Sequence, residues 1–351
     1  MVTGSDHLVN KDVLIIGGGI SGITAALELA RLGIPAILIE REPFLGGASA
    51  SLSCKASEAC NRCFACVVDE RISDVQKCGG ISLLTETQLV NIDGGPGRYH
   101  VFLRRKKEKV ELDVAAVVIA VGIDPYDASQ KEEYGYRRHK DVITAREMDE
   151  MLRLRGTLSR PSNGLPPAKI AFFQCVGSRD ESIGNRYCSK VCCAYALRLI
   201  RTIRHNHPEV EVTFLYLDIQ PAGASFLSLL NSCREDKGIR FVRALPSKVY
   251  APSLSQGLKV RFVDPQRQEV VEEYFDLVVL SVGMVLSKEA WPLVDRFRLP
   301  LTEDGFLSTP PEQGGVFVTG ACTGPKDIDR SILQAKSTVL HVHQFLRGDL
   351  R

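Results

Sequence analysis

A short apolar run, Lys11-Asp-Val-Leu-Ile-Ile16, leads directly into Gly17-Gly-Gly-Ile-Ser-Gly22, and no other junction in the chain restricts its fold as much. The run is of the kind buried on both faces of a parallel sheet. Ile23, Ala26, Leu27, Ala30 and Leu32 then recur at helical spacing up to Gly33, a helix-stopping residue, and Pro35-Ala-Ile-Leu-Ile-Glu40 reads as a second strand. Strand, glycine turn, helix and strand make a βαβ unit, and Gly-x-Gly-x-x-Gly with an acid closing the second strand is a dinucleotide fingerprint in its full context. Gly17 permits the tight turn, Gly19 lets the backbone approach a pyrophosphate, and Gly22 lets helix and strand pack closely. The helix N-terminus offers unpaired N–H groups and a positive dipole end to phosphates. Glu40 is placed to accept hydrogen bonds from an adenosine ribose, and its charge disfavours the 2′-phosphate of NADP. The unit alone does not choose between FAD and NAD.

The 351 residues suffice for one to three domains, and the 44% hydrophobic and 25% charged fractions are those of a globular chain. Lys+Arg 44 against Asp+Glu 42 leaves +2, a balance that argues against a nucleic-acid surface. No apolar run is long enough to span a membrane and no secretory leader is recognisable, so the expected location is the cytoplasm. Periodicity is weak from Gly46-Gly47 to about position 80. Val101 to Val121 reads as strands, the last being Asp113-Val-Ala-Ala-Val-Val-Ile-Ala-Val-Gly122, and Ala145 to Leu154 is helix-like. A proline-rich connector at 159–167 precedes a second α/β pattern. This comprises strands at 169–174, 211–217, 239–243, 258–263 and 274–282, with helices at 188–205 and 225–236. The strand Gly315–Gly320 and the helix Ser331–Leu346 close the chain. The expected division is a dinucleotide domain from 1–125 and 276–351, bearing a cysteine-rich segment at 48–80, and an inserted second α/β domain at 126–275.

Nine of eleven cysteines fall in two knots, 54–78 and 175–193. In a chain of this size, clustered cysteines bind metal or do redox chemistry rather than staple a core. In Cys175-x12-Cys188-x3-Cys192-Cys193, the first thiol ends a strand, where open α/β sheets place ligands. The other three are expected at the start of the next helix, with 188 and 192 sharing a face. Four converging thiolates suit a [4Fe–4S] cluster or zinc, and unliganded core cysteines are the bland alternative. Structural zinc usually shows two C-x-x-C pairs, which this spacing lacks. Cys54-x5-Cys60-x2-Cys63-x2-Cys66 is open to three readings: a second cluster, a redox dithiol, or a structural role. Cys233 and Cys322 read as core residues, and His205, His207, His341 and His343 as capping or packing groups.

Glu40-Arg41-x4-Gly46-Gly47 resembles the extended FAD fingerprint of the two-dinucleotide-domain flavoproteins, the thioredoxin reductase and glutathione reductase group. The segments 113–122 and Gly315-Val-Phe-Val-Thr-Gly-Ala-Cys322 also look like that group's. The resemblance implies an α/β fold with an FAD Rossmann domain and a second Rossmann-like domain inserted in it. It implies FAD held by Gly17, Gly19, Gly22, Glu40, Arg41, Gly46, Gly47, Gly122, Gly320, Ala321 and Lys326. Ala321 stands where the group carries Asp, so backbone N–H groups of 320–327 are expected to replace that contact. The second domain lacks the group's nicotinamide glycine loop and has Gln174-Cys-Val-Gly-Ser-Arg179 in its place.

With its cysteine pattern and Thr319-Gly-Ala-Cys-Thr-Gly-Pro-Lys-Asp-Ile328, the chain resembles the A-type flavoprotein of heterodisulfide reductase over about 11–348. The flavoproteins of quinone-interacting membrane-bound oxidoreductase and of the heterodisulfide-reductase-like complex of sulfur oxidisers belong to the same family. The resemblance implies a [4Fe–4S] cluster on Cys175, Cys188, Cys192 and Cys193 beside FAD, and leaves a second cluster on Cys54, Cys60, Cys63 and Cys66 open. It further implies a homodimer working with B- and C-type subunits, and, in the sulfur-oxidising type, sulfur carried by a lipoate-binding protein. FAD would take electrons in pairs and exchange them singly with the cluster, the closing helix aiming its N-terminus at the flavin. The rival readings are a self-sufficient NADH-dependent disulfide reductase using the 54–66 cysteines, and a non-enzymatic assembly protein.

Overall fold

The computed structural model describes residues 11–220, 224–252, 257–310 and 314–349. The chain forms two compact units: residues 1–50, 66–124 and 286–351 make the first, and 51–65 with 125–285 the second.

The first unit is built on a parallel five-stranded sheet in the order Val316–Val318, Ala116–Ile119, Val13–Ile16, Ala36–Ile39, Ile81–Leu84. Val13–Ile16 lies at its centre, Val13 registering with Ala36 on one side and Ala116 on the other. Every residue of these three inner strands is buried, which explains their unbroken Val, Ile, Leu and Ala runs. Leu29 of the helix Ile20–Arg31 and Val339 of the helix Ile328–Leu346 share one core with Ile15 and Val118. A three-stranded antiparallel meander (Thr87–Gly95, Arg98–Arg105, Glu108–Val114) precedes Ala116–Ile119.

The second unit repeats the parallel plan in the order Ile239–Val242, Glu211–Leu215, Lys169–Val176, Leu277–Val282, Val142–Thr144. The period-two alternation of Lys169–Val176 sorts its side chains. Ile170 and Phe172 join the core under the helices Ala145–Arg155, Cys192–Asn206 and Ala224–Glu235. Ala171 and Phe173 face the core beneath an antiparallel layer of Lys248–Tyr250, Leu258–Asp264 and Glu269–Phe275.

Several elements depart from the sequence reading. The run 274–282 breaks at Asp276, whose carboxylate accepts the Ala168 and Lys169 amides, so Glu269–Phe275 ends a meander while Leu277–Val282 pairs with Lys169–Val176. The second unit therefore extends past residue 275 and also takes in residues 51–65. The helix expected from 188 starts at Cys192, leaving Cys188 in a loop. A helix at Ala65–Lys77 fills part of the segment without apparent periodicity. Among the described residues no helix is long and apolar enough to cross a membrane.

Candidate cofactor and thiol sites

The glycine turn is assembled by close approaches that only glycine allows. Gly17 has φ 110°, and a Cβ there would lie 2.5 Å from the Ala120 carbonyl oxygen. A Cβ on Gly22 would stand 1.9 Å from the Gly17 oxygen, whereas one on Gly19 would meet nothing within 4 Å. Gly17 and Gly22 are thus needed by the fold, while Gly19 leaves an open approach to the turn. Gly19 caps the helix Ile20–Arg31 without a side-chain hydrogen bond, so that helix end keeps its unpaired amides for an anion.

Glu40 is buried, its Oε2 accepting the Gly18 N–H at 2.7 Å and its Oε1 the Glu42 N–H at 2.9 Å. These bonds fix the carboxylate at the end of its strand. Gly46 donates its N–H to the Gly18 oxygen at 2.8 Å, and a Cβ on Gly47 would come 3.2 Å from the Gly19 Cα, so both glycines line the turn. Gly320 closes on the same helix: its φ is 83° and a Cβ would reach 2.2 Å from Ser21 Oγ. The short helical turn Gly320–Thr323 holds Ala321, and Gln334 Oε1 accepts the Gly320 N–H at 3.1 Å. Gly122 has φ 71° with open space where a Cβ would stand. The donors, the open approach and the anchored acid fit a dinucleotide.

Two of the expected contacts are engaged within the protein. Arg41 forms ion pairs with Glu42 and Glu289. Lys326 donates to Thr323 Oγ1 at 2.7 Å and to the Gly324 oxygen at 3.1 Å, bracing the loop after Gly320.

The second knot lies wholly in the second unit. Cys175 occupies a left-handed backbone position (φ 61°), and the pairing of its strand shifts register between Phe173 and Val176. That bulge takes the side chain off the strand's alternation. Cys192 and Cys193 open the helix Cys192–Asn206 with both side chains buried. Cys192 is held well below the usual thiol range because the Cys175 and Cys193 thiols hydrogen-bond to it, and both of those are pushed up in return. Burial raises Cys188, opposed by the Lys190 N–H, which donates to its sulfur at 3.3 Å from a left-handed residue (φ 61°). The Arg179 guanidinium, ion-paired with Asp218, favours the thiolate form of both Cys175 and Cys188.

Among the described residues no three or more His, Cys, Asp or Glu side chains are arranged to hold a metal ion. Cys175 and Cys193 each hydrogen-bond to Cys192 instead. An all-sulfur donor set, with one sulfur already favoured as thiolate, has the chemistry an iron–sulfur group requires.

Of the first knot, Cys54 and Cys60 are exposed and Cys63 half-buried in the second unit, while the exposed Cys66 sits in the first turn of Ala65–Lys77. Cys233 and Cys322 are core residues as expected, their thiols pushed up by burial to about 12 and about 11. Sequence reasoning missed Lys55, 1% exposed, and Asp149, also 1% exposed, which pair at 2.6 Å.

The chain matches the family model "Pyridine nucleotide-disulphide oxidoreductase" over residues 10–339. It is 31% identical over 417 aligned residues to an A-type iron–sulfur subunit of the CoB–CoM heterodisulfide reductase of Methanopyrus kandleri, covering 94% of this chain and 63% of that protein. It is 30% identical to the A-type subunit of the H2:CoB–CoM heterodisulfide,ferredoxin reductase of Methanothermobacter marburgensis, covering 93% and 62%. The chain spans less than two thirds of the length of these curated relatives. The thioredoxin reductase of Lactococcus lactis superposes with TM-score 0.61 at 17% identity, over 97% of this chain and 100% of that one. That of T. acidophilum gives 0.59 at 15%, over 97% and 99%. The two-dinucleotide-domain architecture and the resemblance to the A-type flavoprotein of heterodisulfide reductase, both expected from the motifs, are borne out. The chain belongs to the pyridine nucleotide-disulphide oxidoreductase family.

Proposed function

We propose that this chain is an FAD- and [4Fe–4S]-carrying electron-transfer subunit of a heterodisulfide-reductase-like complex in sulfur or disulfide metabolism. The observation that carries the reading is the placement of the four thiols: left-handed Cys175 at the end of its strand, Cys192 and Cys193 buried at the start of the helix Cys192–Asn206, and Cys188 in the loop before them with the Lys190 N–H on its sulfur. In place of a nicotinamide glycine loop, the strand Lys169–Val176 ends in that thiol set. When bound, FAD supplies the exchange between two-electron and one-electron chemistry, and a cluster supplies a one-electron carrier.

The chain's own residues do the rest. Gly17, Gly19 and Gly22, with Gly46 and Gly47, shape the dinucleotide turn, and Glu40 takes the ribose. Gly122, Gly320 and Ala321 present backbone to the flavin half, while Arg41 and Lys326 stiffen the rim. Cys175, Cys188, Cys192 and Cys193 hold the cluster, and the helix Ile328–Leu346 directs its positive end toward reduced flavin. Similarity to the A-type subunits of heterodisulfide reductases supports B- and C-type subunits as partners. A homodimer, the cytoplasm as location and a lipoate-bound sulfur substrate complete the reading.

Anaerobic purification tests it, with flavin, iron and acid-labile sulfide quantified and electron paramagnetic resonance recorded after dithionite reduction. Flavin together with at least about four irons per chain is expected. A protein without flavin or iron sinks the reading, and steady-state NADH oxidation by the isolated chain would turn it into a self-sufficient disulfide reductase.

A further inference from the structure

In the first unit, the hairpin joining Arg98–Arg105 to Glu108–Val114 ends in Arg104-Arg-Lys-Lys-Glu-Lys109, and all six of these residues are exposed. They hold five of the chain's 44 lysines and arginines and one of its 42 acids, so the tip carries +4 and the rest of the chain −2. Lys106 pairs with Glu86 at 2.9 Å, and Arg104 donates to Gln88 Oε1 at 3.1 Å. Arg105, Lys107 and Lys109 make no ion pair among the described residues.

The cations are kept there against the interest of the fold. Arg105 registers with Glu108, which leaves Lys106 and Lys107 as a two-residue turn. Lys106 is left-handed (φ 54°), a position that such turns give to glycine, asparagine or aspartate because a longer side chain is strained in it. The neighbouring turn of the same meander follows that rule: Gly95 registers with Arg98, and Gly97 (φ 80°) takes the left-handed position. Arg104 stands directly opposite Lys109, and like charges so placed repel each other across the ladder. A glycine at 106 and an acid at 104 or 109 would each make a more stable hairpin. Positive charge held at that cost points to an anion outside the chain.

We propose that the hairpin tip Arg104–Lys109 is a docking surface for a short acidic segment of a partner protein. Its charge is confined to six residues, so it matches a brief run of Asp or Glu. A nucleic-acid duplex or a lipid surface would extend past the tip to the rest of the chain, which offers no positive excess. Lipid-binding basic clusters lie on an amphipathic helix or beside a spanning one, and interfacial segments add Trp, Phe or Leu. This tip is a β-turn with no apolar side chain. Charge presented in this way speeds encounter with a complementary face, and salt screens it. The inference rests on the reading of the chain as a subunit that works with partner proteins, but on neither cofactor.

The test is fluorescence anisotropy of a labelled oligo-glutamate peptide on the full chain, beside an oligo-glutamine peptide, phosphatidylserine vesicles and duplex DNA. Oligo-glutamate is expected to bind in preference to the others and to be released as salt rises from about 0.1 M to about 1 M. Lys106→Gly/Lys107→Ser should weaken that binding at least tenfold and at the same time raise Tm, because glycine accepts the left-handed turn. Lys336→Gln/Arg347→Gln removes as much exposed charge from the same unit and should bind as wild type does. Equal weakening in both variants would mean attraction to overall charge and overturn the site, as would no binding of oligo-glutamate at all. Tighter binding of vesicles or DNA overturns an acidic protein segment as the occupant. A lower Tm in the Lys106 variant would show that the lysines serve the fold, and overturns the inference too. Flavin and iron content decide the electron-transfer reading separately: a chain that carries both and ignores the peptide sinks the docking surface alone, and one that lacks both and binds it sinks that reading alone.

Discussion

Gly19 and Gly22 are three residues apart in one turn, yet a methyl group meets open space at the first and a carbonyl oxygen 1.9 Å away at the second. Gly22→Ala should therefore lower stability by about 1–3 kcal/mol, read as a drop in Tm with or without flavin. Gly19→Ala should leave the Tm of flavin-free protein unchanged and weaken flavin retention at least tenfold, because only an approaching phosphate feels the methyl group. A Gly19→Ala protein that keeps its full flavin complement would remove the dinucleotide from this turn. Asp236 gives a pH prediction. Hydrogen bonds from Arg204 hold its carboxyl below the usual range, aided by the Gly238 N–H. A depressed folded value contributes stability above the unfolded value near 3.9, and that contribution is lost as pH falls through the folded value. Asp236→Asn should thus cost about 1 kcal/mol at pH 7, with the gap to wild type closing below about pH 4 in urea titrations. The glycines were legible in sequence because a fixed spacing expresses their steric need. Lys55 was not, since a lysine 94 residues from its carboxylate gives no local sign that it is buried.

Elements were readable where one period ran uninterrupted and obscured where two signals overlapped. The helix Ala65–Lys77 buries Ala65, Val68 and Val75 with Ile72 packed beside them, an ordinary helical stripe. Its first turn coincides with the end of the C-x-x-C-x-x-C run, so the cysteine spacing masks the start of the helical period. Cys188 looks helical in sequence because 188 and 192 share a face at that spacing. The left-handed Lys190 ends that possibility, and no composition rule foretells a lysine in that conformation. The same residue yields a test of the loop. Lys190→Gly keeps the N–H that reaches Cys188 and adopts the conformation freely, so stability and iron content should match wild type. Lys190→Val, β-branched, should cost about 1–3 kcal/mol and release iron. Equal iron in both variants would show that the Cys188 loop does not depend on this geometry.

At the scale of the molecule, the chain alternates between its two units four times, so neither is a contiguous stretch, and residues 51–65 and 276–285, expected with the first domain, cluster with the second. Pairing decides both cases: Leu277–Val282 hydrogen-bonds to Lys169–Val176, and Lys55 is buried against Asp149. Each unit nevertheless has its own core, one built around Ile15, Leu29 and Val339, the other around Phe172, Leu197 and Val279. A ligand that binds only the folded form stabilises what holds it, by about 4 kcal/mol at a thousand times its dissociation constant. On the proposed reading flavin binds the first core, and the Cys175–Cys193 thiols lie in the second. Calorimetry of the loaded chain should therefore show two endotherms, one lowered by stripping flavin and the other by chelating iron. A single endotherm that shifts equally under either treatment would mean that the interleaved chain unfolds as one cooperative body, with each cofactor stabilising the whole.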